Sequence, residues 1–303
     1  MDLRQLAAVV AVADHRTFSA AARALHTVQS NVSTHVARLE RELGTRLVDR
    51  TSGQLTETGE LVVARARRVQ AELDALAADV ASASDQIAGG VRLGVFGTTG
   101  RWLVPILLRA ISEEHPRIQV VVVDATTTSL LPQLVQGRLD LAVVALPVED
   151  PDVETGVLFD EDRILVVPEG HAWWASDRVT LTELAEHPLL LEPPGTAFRD
   201  DLDADAVRAG VVLTAQAEVD GMRLLATLAF EGFGAAVLPA TAAPPGLAAR
   251  HWRRVPVEGL SPRSVGVAVR RRGLLSAPSR AVRQVLERVV RDEGAHHPGV
   301  HPS

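Results

Sequence analysis

A run of short polar side chains stands in the stretch AARALHTVQSNVSTHVARLERELG, residues 21–44. Ser, Thr and Asn compete with the backbone for hydrogen bonds, so a helix rich in them needs a reason for carrying them. Amides, hydroxyls and guanidinium groups are the side chains that reach base edges and phosphates in the DNA major groove. The candidate DNA contacts are Ser19, Gln29, Ser30, Asn31, Ser33, Thr34, His35, Arg38 and Arg50.

The candidate contacts need a helix that turns its apolar side inward. A helix that begins near Thr27 or Val28 and ends at Gly44 does this, because its apolar residues fall within about 80° of one another at helical spacing. This apolar stripe consists of Val28, Val32, Val36, Leu39 and Leu43. The polar side chains then occupy the opposite face.

Two further helices are predicted before this one. Apolar residues from Leu3 to Ala13 recur at helical spacing, and Thr17 or Ser19 can cap a second helix that runs through Leu25. The following TRLVDRTSGQLTETG predicts two short strands about a Ser52-Gly53 turn. Together these elements predict a winged helix-turn-helix, residues 1–58. The alternative is a small helical bundle whose polar face only meets solvent.

The distribution of charge also distinguishes the first 70 residues from the remainder of the chain. The formal net charge is −7, yet residues 1–70 hold ten Arg against seven acidic residues, which leaves −10 for the remainder. A basic head on an acidic body favours a polyanionic partner for the head. No apolar run is long enough to cross a membrane and the N-terminus lacks a signal-peptide pattern, so we expect a cytoplasmic protein. The chain contains no cysteine, which excludes disulfides and thiolate chemistry among its residues.

A long helix is predicted after the head, as a linker over residues 59–88. Residues 60–88 contain neither Gly nor Pro, and their apolar residues alternate at spacings of four and three. A helix of about 40 Å with such a seam needs a partner helix. The seam consists of Val62, Ala66, Val69, Leu73, Leu76, Val80, Ala83 and Ile87. The alternative is a helix that lies on its own domain.

The first 60 residues resemble the LysR-type helix-turn-helix regulators. The match runs through LAAVVAVADHRTFSAAARALHTVQSNVSTHVARLERELGTRLVDRTSGQLTETG. Ser30 stands where the family usually has Pro, His35 where it has Gln, and the wing loop is shorter and poorer in Arg. The resemblance implies a homodimer, formed by antiparallel linker helices, or a homotetramer, with double-stranded DNA as a partner and RNA polymerase as a further candidate.

Residues 89–293 change character after a hinge at Ala88-Gly89-Gly90. Val-rich runs such as VRLGVF and IQVVVVDA alternate with helical stretches, which predicts an α/β domain with a largely parallel sheet covered on both faces. The resemblance implies a two-lobed, periplasmic-binding-protein-like effector domain. We expect lobe I over residues 91–161 and 266–293, lobe II over 162–265, and a disordered tail over 294–303.

Ligands of such sheets bind beyond the carboxyl ends of strands, near helix N-termini. The stretches in that position contain the candidate effector contacts Thr98, Thr99, Gly100, Arg101, Thr128, Ser129, Gly195, Thr196 and Gly234. The alternative is that these hydroxyls only cap their own helices. Arg101 and Arg199 beside two of the stretches favour an effector that is an organic anion.

Motifs for catalysis are missing from the sequence, which holds no nucleophile elbow, HExxH, P-loop or dinucleotide fingerprint. The three histidines of the tail stand among Gly and Pro, which favours disorder over a metal site. We therefore expect no enzyme, no cofactor and no metal, but a sequence-specific transcription regulator controlled by a small-molecule effector. The alternatives are a DNA-binding regulator without a ligand response and, from another class, a solute-binding protein.

Overall fold

The computed structural model of the protein describes residues 1–49, 52–82, 87–243 and 251–303. Three helices form the N-terminal head, namely α1 (Leu3–His15), α2 (Phe18–Ala24) and α3 (Gln29–Leu43). The side chain of Asp2 caps α1 and that of Thr17 caps α2, each by accepting a backbone N–H of the first turn. Val28 is the N-cap of α3, and Gly44 ends the helix in the left-handed conformation that favours glycine.

The predicted apolar stripe of α3 is only partly buried. Val32, Val36 and Leu39 lie in the core of the head, whereas Val28 is 60% exposed and Leu43 is 42% exposed. Both exposed residues flank the buried middle of the helix, so the stripe is shorter than predicted. Among its described residues, the predicted wing has one antiparallel bridge, between Val48 and Leu55; Arg50 lies outside the described residues.

The linker helix, α4 (Glu57–Ser82), begins earlier and ends earlier than predicted. Its first turns belong to the head, because Val63 and Ala66 are buried in the head core. Residues 87 and 88 are not helical, so the predicted end at residue 88 is wrong; Ala83 lies outside the described residues. Four seam residues further along the helix are between 40% and 66% exposed, namely Val69, Leu73, Leu76 and Val80.

The remainder of the described chain alternates strands with helices. In chain order these are β1 (Gly89–Val95), α5 (Gly97–Glu114), β2 (Ile118–Asp124), α6 (Thr127–Val135), β3 (Leu141–Ala145), β4 (Val153–Glu161), β5 (Arg163–Pro168), β6 (Val179–Thr180), α7 (Leu181–Leu184), β7 (Leu189–Leu191), α8 (Ala197–Arg208), β8 (Ala215–Glu218), α9 (Met222–Phe230), β9 (Ala236–Pro239), β10 (Trp252–Glu258), β11 (Arg263–Arg270), α10 (Ala277–Gly294) and β12 (Val300–Pro302).

These strands form two six-stranded sheets, one in each lobe. The sheet of lobe I has the order β12-β4-β11-β3-β1-β2, and that of lobe II has the order β6-β10-β5-β9-β7-β8. The first crossing lies between Glu161 and Arg163, close to the prediction. The return lies between Glu258 and Arg263, and Arg263 already pairs with Glu161 in the sheet of lobe I. Lobe II therefore ends before residue 265, the boundary that the sequence predicted.

The predicted hinge and the predicted disordered tail are both ordered structure. Gly89 and Gly90 begin β1 and pair with Ile118 and Gln119 of β2. Residues 300–302 form β12, which pairs antiparallel with β4 at the edge of lobe I. Val300 of this strand is buried in the lobe I core, and that burial explains why a short Gly- and Pro-rich segment is fixed.

Four groups of buried apolar residues stabilise the described chain. One fills the head, one fills lobe I, and two lie in lobe II. Within the described ranges, the structure contains no helix that is long and apolar enough to cross a membrane.

Candidate DNA-binding and effector sites

The polar face of α3 is exposed on the surface of the head. Of the candidate DNA contacts, Ser19, Gln29, Ser30, Asn31, Thr34 and Arg38 are exposed. The amide of Asn31 donates to Thr27 Oγ1 at 2.9 Å, and the hydroxyl of Thr34 donates to the carbonyl of Ser30 at 2.8 Å. These two hydrogen bonds engage the Asn31 amide and the Thr34 hydroxyl with neighbouring residues of the head.

Two of the candidate DNA contacts turn partly away from that face. Ser33 and His35 are half-buried, and His35 Nδ1 is buried without a hydrogen-bond partner among the described residues. They flank Val32 and Val36 of the buried stripe, so they border the head core. The structure thus divides the described members of the predicted set into six exposed residues and two residues at the border of the head core.

The start of α5 carries four of the candidate effector contacts. Thr98 is buried, and its hydroxyl accepts a hydrogen bond from Arg263 Nη2 at 3.3 Å. Thr99 is completely buried, and its hydroxyl has no partner among the described residues. Arg101 is exposed.

A cavity of about 650 Å³ lies between the start of α5 and α9. We call it the α9 cavity; Thr98, Gly100 and Arg101 of lobe I line it, as do Arg223 and other residues of lobe II. Arg223 forms a 2.7 Å ion pair with Asp124, which also lines the cavity, so this pair joins the two lobes. The structure therefore brings three of the predicted effector residues to one interlobe cavity.

The predicted residues at the start of α6 are bound to their own helix. Thr126 is the N-cap, and its hydroxyl lies 3.0 Å from the hydroxyls of both Thr128 and Ser129. Thr128 and Ser129 are exposed and do not line the α9 cavity. These contacts correspond to the alternative in which the hydroxyls at helix starts only cap their own helix.

The predicted residues of lobe II likewise do not line the α9 cavity. Thr196 donates its hydroxyl to the carbonyl of Pro193 at 3.1 Å, and the Gly195 N–H donates to Asp200 at 2.9 Å. Gly234 is buried, and a Cβ there would lie 3.1 Å from Cγ of the buried Leu190, which is tighter than side chains normally pack.

Arg199, which the sequence suggested as an anion contact, is already engaged. Its Nε donates to Asp203 at 2.8 Å and its Nη1 donates to the carbonyl of Glu192 at 2.9 Å. The side chain is 10% exposed, so this guanidinium fixes α8 to the preceding loop.

Sequence reasoning missed the ion pair at the crossing between the lobes. Arg263 Nη2 pairs with Glu161 Oε2, and Glu161 Oε1 accepts the Thr241 N–H of lobe II at 2.7 Å. The Arg263 guanidinium also lies 4.8 Å from the centre of the Phe96 ring.

Burial raises the pKa of the nearby Glu192 carboxyl, while Thr196 and the charge of Arg263 oppose the rise.

A sequence signal for these residues existed. Arg163 and Arg263 are the first residues of the two strands that follow the crossings, and both are buried. A charged residue at the start of an otherwise apolar strand is costly to bury unless it is paired. Its presence there indicates an ion pair at the crossing.

The structure as a whole defines a class of protein. An exposed polar helix on a small helical head, a long linker helix, and a two-lobed domain with a cavity between its lobes are the parts of a ligand-controlled DNA-binding regulator. Family models agree with this division: "Bacterial regulatory helix-turn-helix protein, lysR family" matches residues 3–60, and "LysR substrate binding domain" matches residues 84–291.

Curated relatives match most of the chain. It is 38% identical over 245 residues to the "Probable hydrogen peroxide-inducible genes activator" of Streptomyces viridosporus, which covers 79% of this chain and 78% of the relative. It is 32% identical over 247 residues to the "DNA-binding transcriptional dual regulator OxyR" of Escherichia coli K12, with 81% of each chain covered.

Solved structures match the whole architecture. A full-length OxyR of Pseudomonas aeruginosa, in a cysteine-to-aspartate form, superimposes with a TM-score of 0.76 at 28% identity, over 96% of this chain and 95% of the other. The LysR family regulator CbnR superimposes with a TM-score of 0.70 at 22% identity, over 96% and 100%, which concerns the fold alone.

The chain belongs to the LysR family of transcription regulators. It is a sequence-specific DNA-binding regulator controlled by a small-molecule effector. The family is one of regulators and not of enzymes.

Proposed function

We propose that the effector is a small organic anion that binds in the α9 cavity and changes the relative position of the two lobes. The observation that carries this proposal is the Arg223–Asp124 ion pair, which crosses from lobe II to lobe I at the cavity. Arg101 lines the same cavity and makes no ion pair with the described residues. A carboxylate held by Arg101 and Arg223 competes with Asp124, so its binding is coupled to the interlobe contact.

The proposed effector differs in kind from a peroxide acting on a thiol. Two relatives are named for hydrogen peroxide or as OxyR, but this chain of 303 residues contains no cysteine. Peroxide oxidises cysteine thiolates to sulfenic acids and disulfides, and no residue of this chain can follow that course. Ligand binding can still regulate the chain, because binding in the α9 cavity requires no redox chemistry.

The DNA-binding half of the proposal assigns base reading to the exposed face of α3. Arg38 is suited to guanine edges, and Asn31 and Gln29 of the same face are suited to adenine edges. Two heads reach one operator when two chains pair through the exposed seam of α4, which is otherwise an apolar surface in water. This assembly acts in the cytoplasm on double-stranded DNA, with RNA polymerase as the further partner.

Thermal unfolding of the full chain with a panel of carboxylates, each beside its amide, tests the effector site. Arg101→Gln should remove the rise in melting temperature that an active carboxylate gives, because ligand binding stabilises the folded state by mass action. Arg109→Gln is the matched control, since Arg109 is exposed on the same helix and does not line the cavity.

The results separate the proposal from its alternative. Equal responses of both arginine variants would show that the anion binds elsewhere. A panel without any response, in a chain that still binds its operator, would favour the regulator that needs no ligand. Operator binding that is unchanged after hydrogen peroxide treatment is expected in either case.

A further inference from the structure

Residues 295–303 lie across the first crossing between the lobes, and we call them the C-terminal segment. A turn follows α10, in which the Val300 N–H donates to the His297 carbonyl at 3.0 Å. β12 then pairs antiparallel with the end of β4, where Val300 lies opposite Glu161. The segment thus extends the sheet of lobe I at the point where the chain leaves that lobe.

Asp162, the residue between β4 and β5, is bound by this segment and by lobe II. Its N–H donates to the Gly299 carbonyl at 2.8 Å, and its Oδ1 lies 2.9 Å from Nε2 of His301. Its carbonyl accepts the Ala240 N–H of lobe II at 2.9 Å. The C-terminal segment and lobe II therefore hold the same residue of the crossing.

Gly299 is also packed directly against lobe II. Its φ is +82°, and a Cβ there would lie 2.6 Å from the Cβ of Ala240, closer than two such atoms can approach. Only glycine fits both the backbone conformation and the space. Ala240 begins a short 3-10 helix, residues 240–242, and Ala242 at its other end lines the α9 cavity. The contact therefore connects the C-terminal segment with a wall of that cavity.

Both ends of the C-terminal segment are fixed. His297 is buried, and its ring centre lies 5.5 Å from that of Trp102 of α5. Burial lowers the pKa of His297, and the charge of Arg254 from lobe II acts in the same direction. At the other end, the Ser303 N–H donates to the Leu158 carbonyl at 3.1 Å. The bonds at Asp162 are thus made by a segment that is anchored on either side of them.

Rotation of one lobe against the other requires new backbone angles at the crossing, because a few residues at the ends of elements absorb hinge motions. The N–H, the carbonyl and the carboxylate of Asp162 are all engaged. A change of its backbone angles therefore breaks a bond to the C-terminal segment or to Ala240.

We propose that the C-terminal segment is a strap that holds the two lobes in one relative arrangement by binding Asp162 and packing Gly299 on Ala240. Any movement of lobe II about this crossing must first break these contacts, so the strap opposes it. That the strap also opposes the movement caused by an effector rests on the proposed function of the α9 cavity.

The distance between the lobes within one chain tests the strap. Because the chain contains no cysteine, spin labels can be placed by Glu113→Cys in lobe I and Thr182→Cys in lobe II, both at exposed positions. Double electron–electron resonance, with the labelled chain diluted in an excess of unlabelled chain, measures their separation. Gly299→Ala is the test variant. Gly170→Ala is the matched control, because φ of Gly170 is +81° and its Cβ would meet no atom within 4 Å, so it adds similar backbone strain without a contact between lobes.

One narrow distance distribution is expected for the wild type and for Gly170→Ala, and a broader or shifted one for Gly299→Ala. Deletion of residues 299–303 should give the same change, and retained operator binding shows that the variants are folded. An unchanged distribution in the deletion variant would overturn the proposal, as would an equal change in Gly170→Ala. No carboxylate is present in this measurement, so failure of the proposed effector site would leave its outcome unaltered.

Discussion

The buried pair of Glu161 and Arg263 gives the sharpest test of how the lobes are held together. The Glu161 side chain is 0% exposed and that of Arg263 is 9% exposed. Glu161→Gln keeps an oxygen that can accept the Thr241 N–H but removes the charge that faces Arg263. Leaving one member of a buried pair uncompensated costs about 3–5 kcal/mol. That is a large part of the stability of a typical protein, which is about 5–15 kcal/mol.

Urea unfolding of the full chain measures this cost. As the control, Arg178→Gln breaks the exposed Arg178–Glu258 pair, whose side chains are 71% and 52% exposed, and should leave the free energy of unfolding nearly unchanged, because water screens this pair. The double variant Glu161→Gln with Arg263→Met should recover much of the loss, because it also removes the unpaired charge. A loss in Glu161→Gln as small as that of the control, or no recovery in the double variant, would refute the reasoning.

Three further predictions concern DNA, assembly and pH. Arg38→Ala and Asn31→Ala should each weaken operator binding by about 1–3 kcal/mol at fixed salt, and unchanged gel shifts for both would contradict their assignment to base edges. Charged replacements at Leu73 and Leu76 should separate the chains, because paired helices would bury unpaired charge, and an unaltered sedimentation profile would exclude the seam as the interface. Burial lowers the pKa of His297 below 6.5, so its contribution to stability is present at neutral pH and is lost as the pH falls below about 6.5. The fall in melting temperature between pH 7.5 and 5.5 should be smaller for the Gln variant of this histidine, and an equal fall would show that its protonation is not responsible.

The spacing of apolar and capping residues within short stretches of the sequence determined those elements that depend on interactions between near neighbours in the chain. The apolar spacing in residues 3–43 fixed three helices, and Thr17 caps α2 as the sequence predicted. Alternating Val-rich runs and helical stretches fixed the α/β class of the second half, since strands buried on both faces need continuous apolar sequence. The first 60 residues also match the LysR-type pattern at enough positions to identify the family.

Only tertiary structure decided what depends on residues far apart in the chain. Glu161 and Arg263 are 102 positions apart, and each alone is only a charged residue at a strand end. The short strand β12 exists because β4 offers it an edge, which no property of residues 294–303 reveals. The hydroxyls at helix starts illustrate the same limit, because the sequence predicted the same role for Thr98 and Ser129. Packing of the two lobes brings Thr98 beside Arg263 at a cavity. The Ser129 hydroxyl instead bonds the Thr126 hydroxyl, which caps the same helix. Helix periodicity and capping involve neighbours within a few residues, so one sequence suffices to read them, whereas cavities and buried ion pairs arise from the way two lobes meet.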